Sequence, residues 1–380
     1  MVKVKRLGGK PRSSSSAFPP PPAKIRPAVP LRVDVRLRAS LSRQDSNDDF
    51  VGGVALGEEE GYVELMEINN NPGLELRFST VHRAQTSQAE LYRSFGRGFA
   101  DAVFSGAGGC MVALGTAGAG KTYALMGELG EFGRMGMVPR LASELLDRIA
   151  AKVATSEKLA KTPIFLTVSQ YDLSEDGFVK DLLIAPSKGP QKKDGGVRGG
   201  DSPVQERVER LSDVLLVLEK GSKERRKREK SLEGTTAHTV TVLTLWRERS
   251  PSKGGHVVWP GAGGAVQAPI EIAAVAAVEV SGELRRGGEE ARELAEVLSS
   301  ASSLRARAVG QENAPPRQGR NASAPRAASL LVEMVRKWCG PGARVKTLVT
   351  VAREEEAAPQ NGAWLALGAS CLVGPAPGGG

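Results

Sequence analysis

The chain has 380 residues, 40% of them hydrophobic, enough to bury a large core in one or two domains, and no apolar run approaches the roughly eighteen residues of a membrane span. Its 52 basic against 43 acidic residues leave a net charge of +9 and favour polyanionic partners, while an aromatic content of 4% argues against base-stacking nucleic-acid platforms. Three scattered cysteines (Cys110, Cys339, Cys371) and three histidines (His82, His238, His256) make neither a disulfide framework nor a metal-ligand spacing, and read as residues of a reducing compartment.

Residues 1–30 carry Ser13–Ser16, Pro19–Pro22 and basic side chains with no acid before Asp34, the composition of a disordered basic tail. An organellar transit peptide is the rival reading, against which the proline run counts. Order begins at Leu31, where apolar and polar residues alternate to Leu37 as in a half-buried strand. Glu90 to Ala102 reads as one helix, with Leu91, Phe95, Phe99 and Ala102 on a face. Cys110–Leu114 suits a strand buried on both faces. Val138 to Val153 is helical and Ile164–Val168 is a strand. Ser187 to Ser202 reads as an exposed loop. Val208, Leu211, Leu215 and Leu218 mark an amphipathic helix stopping at Gly221, before the charged block Lys223–Lys230. Strands follow at Thr239–Trp246 and Ile270–Val280, a helix at Glu289–Leu304, a polar loop at 308–324, a helix at Ser329–Trp338 and a strand at Val345–Val351. Residues 374–380 form a Gly/Pro tail. Alternation over 31–373 argues for one layered α/β domain.

The chemistry concentrates where the apolar run at 110–114 ends. Gly115, Thr116, Ala117, Gly118, Ala119, Gly120, Lys121 and Thr122 make the pattern G-x-x-x-x-G-K-[ST]. Glycines let backbone N–H groups curl around phosphate oxygens, the lysine reaches the β- and γ-phosphates, and the threonine hydroxyl ligates magnesium. With a strand before it and a helix-compatible stretch after it, the pattern implies a purine nucleoside triphosphate with Mg2+. Hydrolysis further needs a carboxylate at the end of a second buried strand. The run Ile270–Val278 has no aspartate; Glu271 within it and Glu279 just after it are its acids.

The order of motifs resembles the kinesin motor domain. Gly120-Lys-Thr-Tyr-Ala-Leu-Met-Gly127 is similar to that family's G-K-T-Y-T-M-x-G, Ser87, Gln88 and Tyr92 stand at its S-Q-x-x-x-Y, and Gly136-Met-Val-Pro-Arg140 at its G-I-I-P-R. The stretch ending in Asp181-Leu-Leu183 matches its D-L-L. The second half departs. Ser231 to His238 stands for N-x-x-S-S-R-S-H, with Thr235 at a magnesium-ligand serine, Thr236 in place of the arginine, and His238 kept. Reading Ala274–Glu279 against D-L-A-G-S-E removes the aspartate and the glycine, leaves Glu279 without its arginine, and makes Ala274→Asp with Ala277→Gly the restoring change. Pro325–Val332 stands for P-Y-R-D-S-K-L-T, and Arg36-Leu-Arg-Ala39 for the adenine-stacking R-x-R-P.

The resemblance implies a P-loop NTPase fold of the α/β class, a three-layer sandwich with a mostly parallel eight-stranded central sheet and three helices on each face. It implies ATP and Mg2+ as cofactors, with Gly115–Tyr123, Arg36, Arg38 and His238 on the nucleotide, Thr122 and Thr235 on the metal, and Thr235 and Glu279 as candidate catalytic groups. The partner it implies is the microtubule, in the cytoplasm and on the cytoskeleton, with no membrane or nucleic acid. No heptad-rich stalk follows, so a monomer is expected. The altered switches favour weak or absent ATP hydrolysis over a working motor; an inactive nucleotide-binding scaffold and an unrelated P-loop NTPase are the alternatives. The Lys223–Lys230 block is either a tubulin-facing surface or a solvated connector.

Overall fold

A computed structural model describes residues 32–37, 50–51, 54–56, 62–65, 74–155, 163–174, 179–184, 203–231, 237–248, 269–281, 291–299, 330–339, 342–352 and 358–373. The two tails, the loops at 187–202 and 308–324, Arg38, Thr235 and Thr236 lie outside these residues.

One sheet organises the chain. Its strands are β1 (Arg32–Leu37), β6 (Thr80–His82), β7 (Gly109–Leu114), β8 (Ile164–Ser174), β9 (Val179–Asp181), β10 (Glu206–Val208), β11 (Ala237–Arg247), β12 (Ile270–Glu279) and β13 (Arg344–Val351), ordered β10-β8-β11-β12-β7-β13-β1-β6 with β9 on β8. The strands β2 (Phe50–Val51), β3 (Val54–Leu56), β4 (Tyr62–Leu65) and β5 (Leu74–Arg77) make a separate antiparallel sheet inserted between β1 and β6. The main sheet is mixed rather than mostly parallel. Pairing is parallel from β12 through β7, β13 and β1 to β6, and antiparallel across β12, β11, β8 and β10.

Helices cover both faces. On one lie α1 (Gln88–Leu91), continuing as a wider π turn over Tyr92–Gly96, then α2 (Phe99–Phe104), α3 (Lys121–Leu125), α4 (Met137–Thr155) and α5 (Leu211–Ser231). On the other lie α6 (291–299), α7 (Leu330–Trp338) and α8 (Ala358–Val373). Each face has its own core, Phe95, Phe99, Met111 and Leu141 on the first, Val33, Val112, Leu298 and Leu365 on the second. Fully burying each such side chain contributes about 1.5–3 kcal/mol. β7 is buried at all six positions because helices cover it above and below, as its unbroken apolar run requires. Among the described residues no helix is long and apolar enough to cross a membrane.

Three elements differ from the sequence reading. The helix expected over 90–102 is broken: Arg97 turns to an extended ψ of 139°, so α1 and α2 pack as separate pieces. α5 does not stop at Gly221 but runs through it to Ser231, because a glycine there lets the helix lie against Gln170 of β8, whose carboxamide a Cβ would strike at 1.8 Å. Val208 belongs to β10, not to that helix. The sequence reading also passed over α8, an apolar helix whose buried Asn361 bonds both the N–H and the carbonyl of Ala352 (3.1 and 2.9 Å), tying it to the end of β13.

Candidate nucleotide site

β7 delivers the chain into the glycine loop. Gly115 takes φ 141°, and a Cβ there would lie 2.3 Å from the Thr350 carbonyl of β13, so only glycine lets the loop leave the sheet at this point. Beyond Gly120 the chain enters α3, with the Ala124 N–H on the Gly120 carbonyl at 2.8 Å. Lys121 is buried and folds its ammonium back onto the carbonyls of Gly115 and Thr116 (2.8 and 2.6 Å). Burial pulls its pKa down to about 8, a shift opposed by the carboxylate of Glu279 and reinforced by Arg225. The Thr116 hydroxyl is buried with no hydrogen-bond partner among the described residues.

These features fit a polyphosphate. An ammonium depressed by burial, a hydroxyl without a partner and open space around Gly120, where a Cβ would meet nothing within 4 Å, are all answered by an anion lying in the loop. The metal side fits as well. The Thr122 hydroxyl donates to Glu279 Oε1 at 2.7 Å, which brings two hard oxygen groups together at the mouth of the loop.

Glu279 corrects the sequence reading twice. First, Ala274 is not at a strand end: it is 4% exposed in the middle of β12, paired with Thr244 of β11. The last residue of β12 is Glu279, in register with Ala113 of β7, and the next N–H, that of Val280, bonds the Ala113 carbonyl at 3.1 Å. Second, Glu279 has an arginine. Arg225, from the block read as either a tubulin-facing surface or a solvated connector, meets Oε2 at 3.0 Å and Oε1 at 3.3 Å. The partner comes from α5 rather than from position 236, and a separation of 54 residues hid it. Glu271 is exposed near the start of β12, away from the loop.

His238 opens β11, 4% exposed, and its Nδ1 accepts the Ser281 N–H at 2.9 Å. It therefore holds the backbone just beyond Glu279. A cleft of about 760 Å³ opens onto Thr122 and Glu279, walled by Met126 and Gly127 on one side and by Ser222 and Arg225 on the other. Of the remaining block, Lys223 and Lys227 point outward and pair with Glu219 and Glu224 on their own helix (2.8 and 3.6 Å).

Arg36, Gln88 and Tyr123, which do not line that cleft, form a second cluster at α3. Arg36 lies over the Tyr123 ring at 5.3 Å and donates to Gln88 Oε1 at 3.4 Å, while Gln88 Nε2 donates to the Tyr123 carbonyl at 2.6 Å. Gln88 heads a capped helix: Ser87 and Glu90 exchange hydrogen bonds between side chain and backbone (3.2 and 2.9 Å). A flat guanidinium on a ring, tied to a carboxamide, makes a shelf suited to a planar base.

A family model described as kinesin motor domain matches residues 36–337. The chain is 24% identical to kinesin-like protein klp-20 of Caenorhabditis elegans over 286 residues, 73% of this chain and 41% of that protein. It is 26% identical to kinesin-like protein KIN-12C of Arabidopsis thaliana over 232 residues, 58% of this chain and 11% of the relative. It is 28% identical to kinesin-like protein KIF14 of Mus musculus over 177 residues, 44% and 10% of the two chains. The aligned part thus spans less than half the length of these relatives.

Proposed function

The chain belongs to the kinesin motor domain family, and from that premise we propose that it binds ATP with magnesium, hydrolyses it slowly, and couples the cycle to attachment on microtubules. Membership sets aside an unrelated P-loop NTPase. The observation that carries the reading is Glu279 at the end of β12, within 2.7 Å of the Thr122 hydroxyl. That is where a P-loop hydrolase needs a carboxylate.

On this reading Lys121 leaves the Gly115 and Thr116 carbonyls for the phosphate oxygens, and Thr116 finds a partner. Thr122 and Glu279 would hold the magnesium. The metal, when bound, neutralises charge on the β- and γ-phosphates. Arg225 keeps both oxygens of Glu279 aligned. His238 holds the Ser281 N–H just beyond Glu279; in the sequence, Gly282 stands for the phosphate-reading glycine once Glu279 takes the aspartate's place. Arg36, Gln88 and Tyr123 take the base. Slowness is assigned to Thr236, which offers no guanidinium where the family's first switch has one. Microtubule attachment rests on family membership and on the net charge of +9, which favours an acidic lattice.

Labelled ATP titrated onto the purified protein, followed by phosphate release with and without microtubules, tests this. Binding with slow release that microtubules accelerate is the expected result. Binding with no release in either condition would replace the motor reading by an inactive nucleotide-binding scaffold.

A further inference from the structure

The site uses one buried lysine and leaves a second unexplained. Lys346 lies in β13, opposite Arg32 of β1 and Met111 of β7, and is 5% exposed. Its ammonium is bonded to the carbonyl of Phe95 and lies over the Phe95 and Phe99 rings (5.4 and 5.7 Å). Phe95 belongs to the helical segment Gln88–Gly96, whose first residue forms the base shelf with Arg36 and Tyr123. The same segment is held by Arg32, which donates to the Ser94 hydroxyl at 2.8 Å, and by Tyr92, which donates to Glu144 of α4 at 2.5 Å.

The charges around Lys346 are unbalanced. Arg32 from β1 and Arg344 from β13 flank it, and the carboxylate nearby is Asp34, fully buried in β1. Both oxygens of Asp34 are already engaged, Oδ1 by Arg32 at 2.8 Å and Oδ2 by His82 of β6 at 3.0 Å. The groups facing Lys346 from the helical segment and from α2 are a carbonyl and two rings, all neutral.

We propose that Lys346 is a positioning residue for the shelf formed by Arg36, Gln88 and Tyr123: it moors the Gln88–Gly96 segment to the sheet, and losing its proton strengthens the mooring. The proposal rests on the nucleotide reading above. A charged ammonium in a dry site without a free carboxylate favours opening of the segment to water, whereas the neutral amine keeps its bond to Phe95 at no such cost. Burial first, then Arg32 and Arg344, bring the Lys346 pKa down to about 7, with Asp34 opposing. The moored form therefore binds fewer protons than the opened form. Its advantage is smallest below about pH 7 and grows as pH rises toward the ordinary lysine value of about 10.4.

The test compares ATP with inorganic tripolyphosphate, which has no base, both with magnesium, at about pH 6.5 and about pH 8.5. Protonation of Lys121 affects both ligands, and the ligands' own phosphates titrate differently, so the response of the shelf is read as the change in the affinity ratio relative to Lys346→Arg, in which position 346 does not titrate. In the wild type the ATP preference is expected to rise by about threefold or more between these pH values, release of a single proton capping the rise at about tenfold per pH unit. Lys346→Met, which has no donor for the Phe95 carbonyl, should hold the lower ratio at both pH values, and so should Lys346→Arg, which is permanently charged. Thermal unfolding of each variant reports whether it folds. A pH-independent ratio in the wild type, or an unchanged pH response in either folded variant, overturns the proposal. Tripolyphosphate binding without ATP preference at any pH sinks the shelf, and failure to bind either ligand sinks the nucleotide reading itself.

Discussion

The phosphate loop and the proposed base shelf are each backed by a buried lysine bonded to backbone carbonyl oxygen, yet they handle charge in opposite ways. At the phosphate end Lys121 faces Glu279, and Glu279 is in turn held by Arg225 and Thr122, so cations and carboxylate form an alternating chain open to an anion. At the base end Lys346 sits with Arg32 and Arg344 around one carboxylate whose oxygens are taken. A ligand with a charged tail and a neutral head explains the contrast. The first lysine stays poised for an external anion; the second never meets one and acts through the helical segment it holds.

The largest effect should come from moving the carboxylate off the strand end. Ala274→Asp places an acid in the middle of β12, buried and facing no cation, and is expected to cost about 3–5 kcal/mol of stability. Chemical denaturation measures this directly; a folded variant with faster ATP turnover would instead support the register in which Ala274 stands for the family's aspartate. Next is Lys121→Met, which removes the cation at the phosphate end. ATP affinity should fall about a hundredfold, equivalent to roughly 2.7 kcal/mol, while the fold is retained. An equal loss from Lys346→Met would erase the distinction between the two lysines.

A smaller effect sharpens the same contrast. Bound phosphate should raise the pKa of Lys121 from about 8, so binding takes up a proton in the range above that value. Affinity for tripolyphosphate is full below about pH 8 and declines above it, by at most about tenfold per pH unit. Isothermal titration in buffers of different ionisation enthalpy would show the proton uptake; none at about pH 9 would mean that Lys121 stays charged in the free protein.

The phosphate end was legible because a loop that must wrap an anion tolerates few sequences, and Gly115 to Thr122 are among them. Glu279 was visible as an acid closing an apolar run, but aligning the run to a six-residue motif from its alanines set the register five positions early. The signal for this register is the strand end itself: Glu279 is the last residue of β12 that both neighbouring strands, β11 and β7, pair with. Arg225 was hidden in a block whose charges, read as a string, all looked solvated; only the helical turn of α5 separates the one facing Glu279 from Lys223 and Lys227 facing out. Asp34 and Lys346 were illegible for a different reason. Alternation in a strand reads as one wet face, and here helices cover both. The apolar helix α8 carries too little polar contrast to show a periodic face.

The claim on which the rest depends is that Glu279 is the working carboxylate of the site. Phosphate release from bound ATP in the presence of microtubules, measured in a single turnover for the wild type and for Glu279→Ala, tests it most directly. Slow release is expected from the wild type, and from the variant retained ATP binding with release lower by about a hundredfold. Equal release from the two proteins would contradict it.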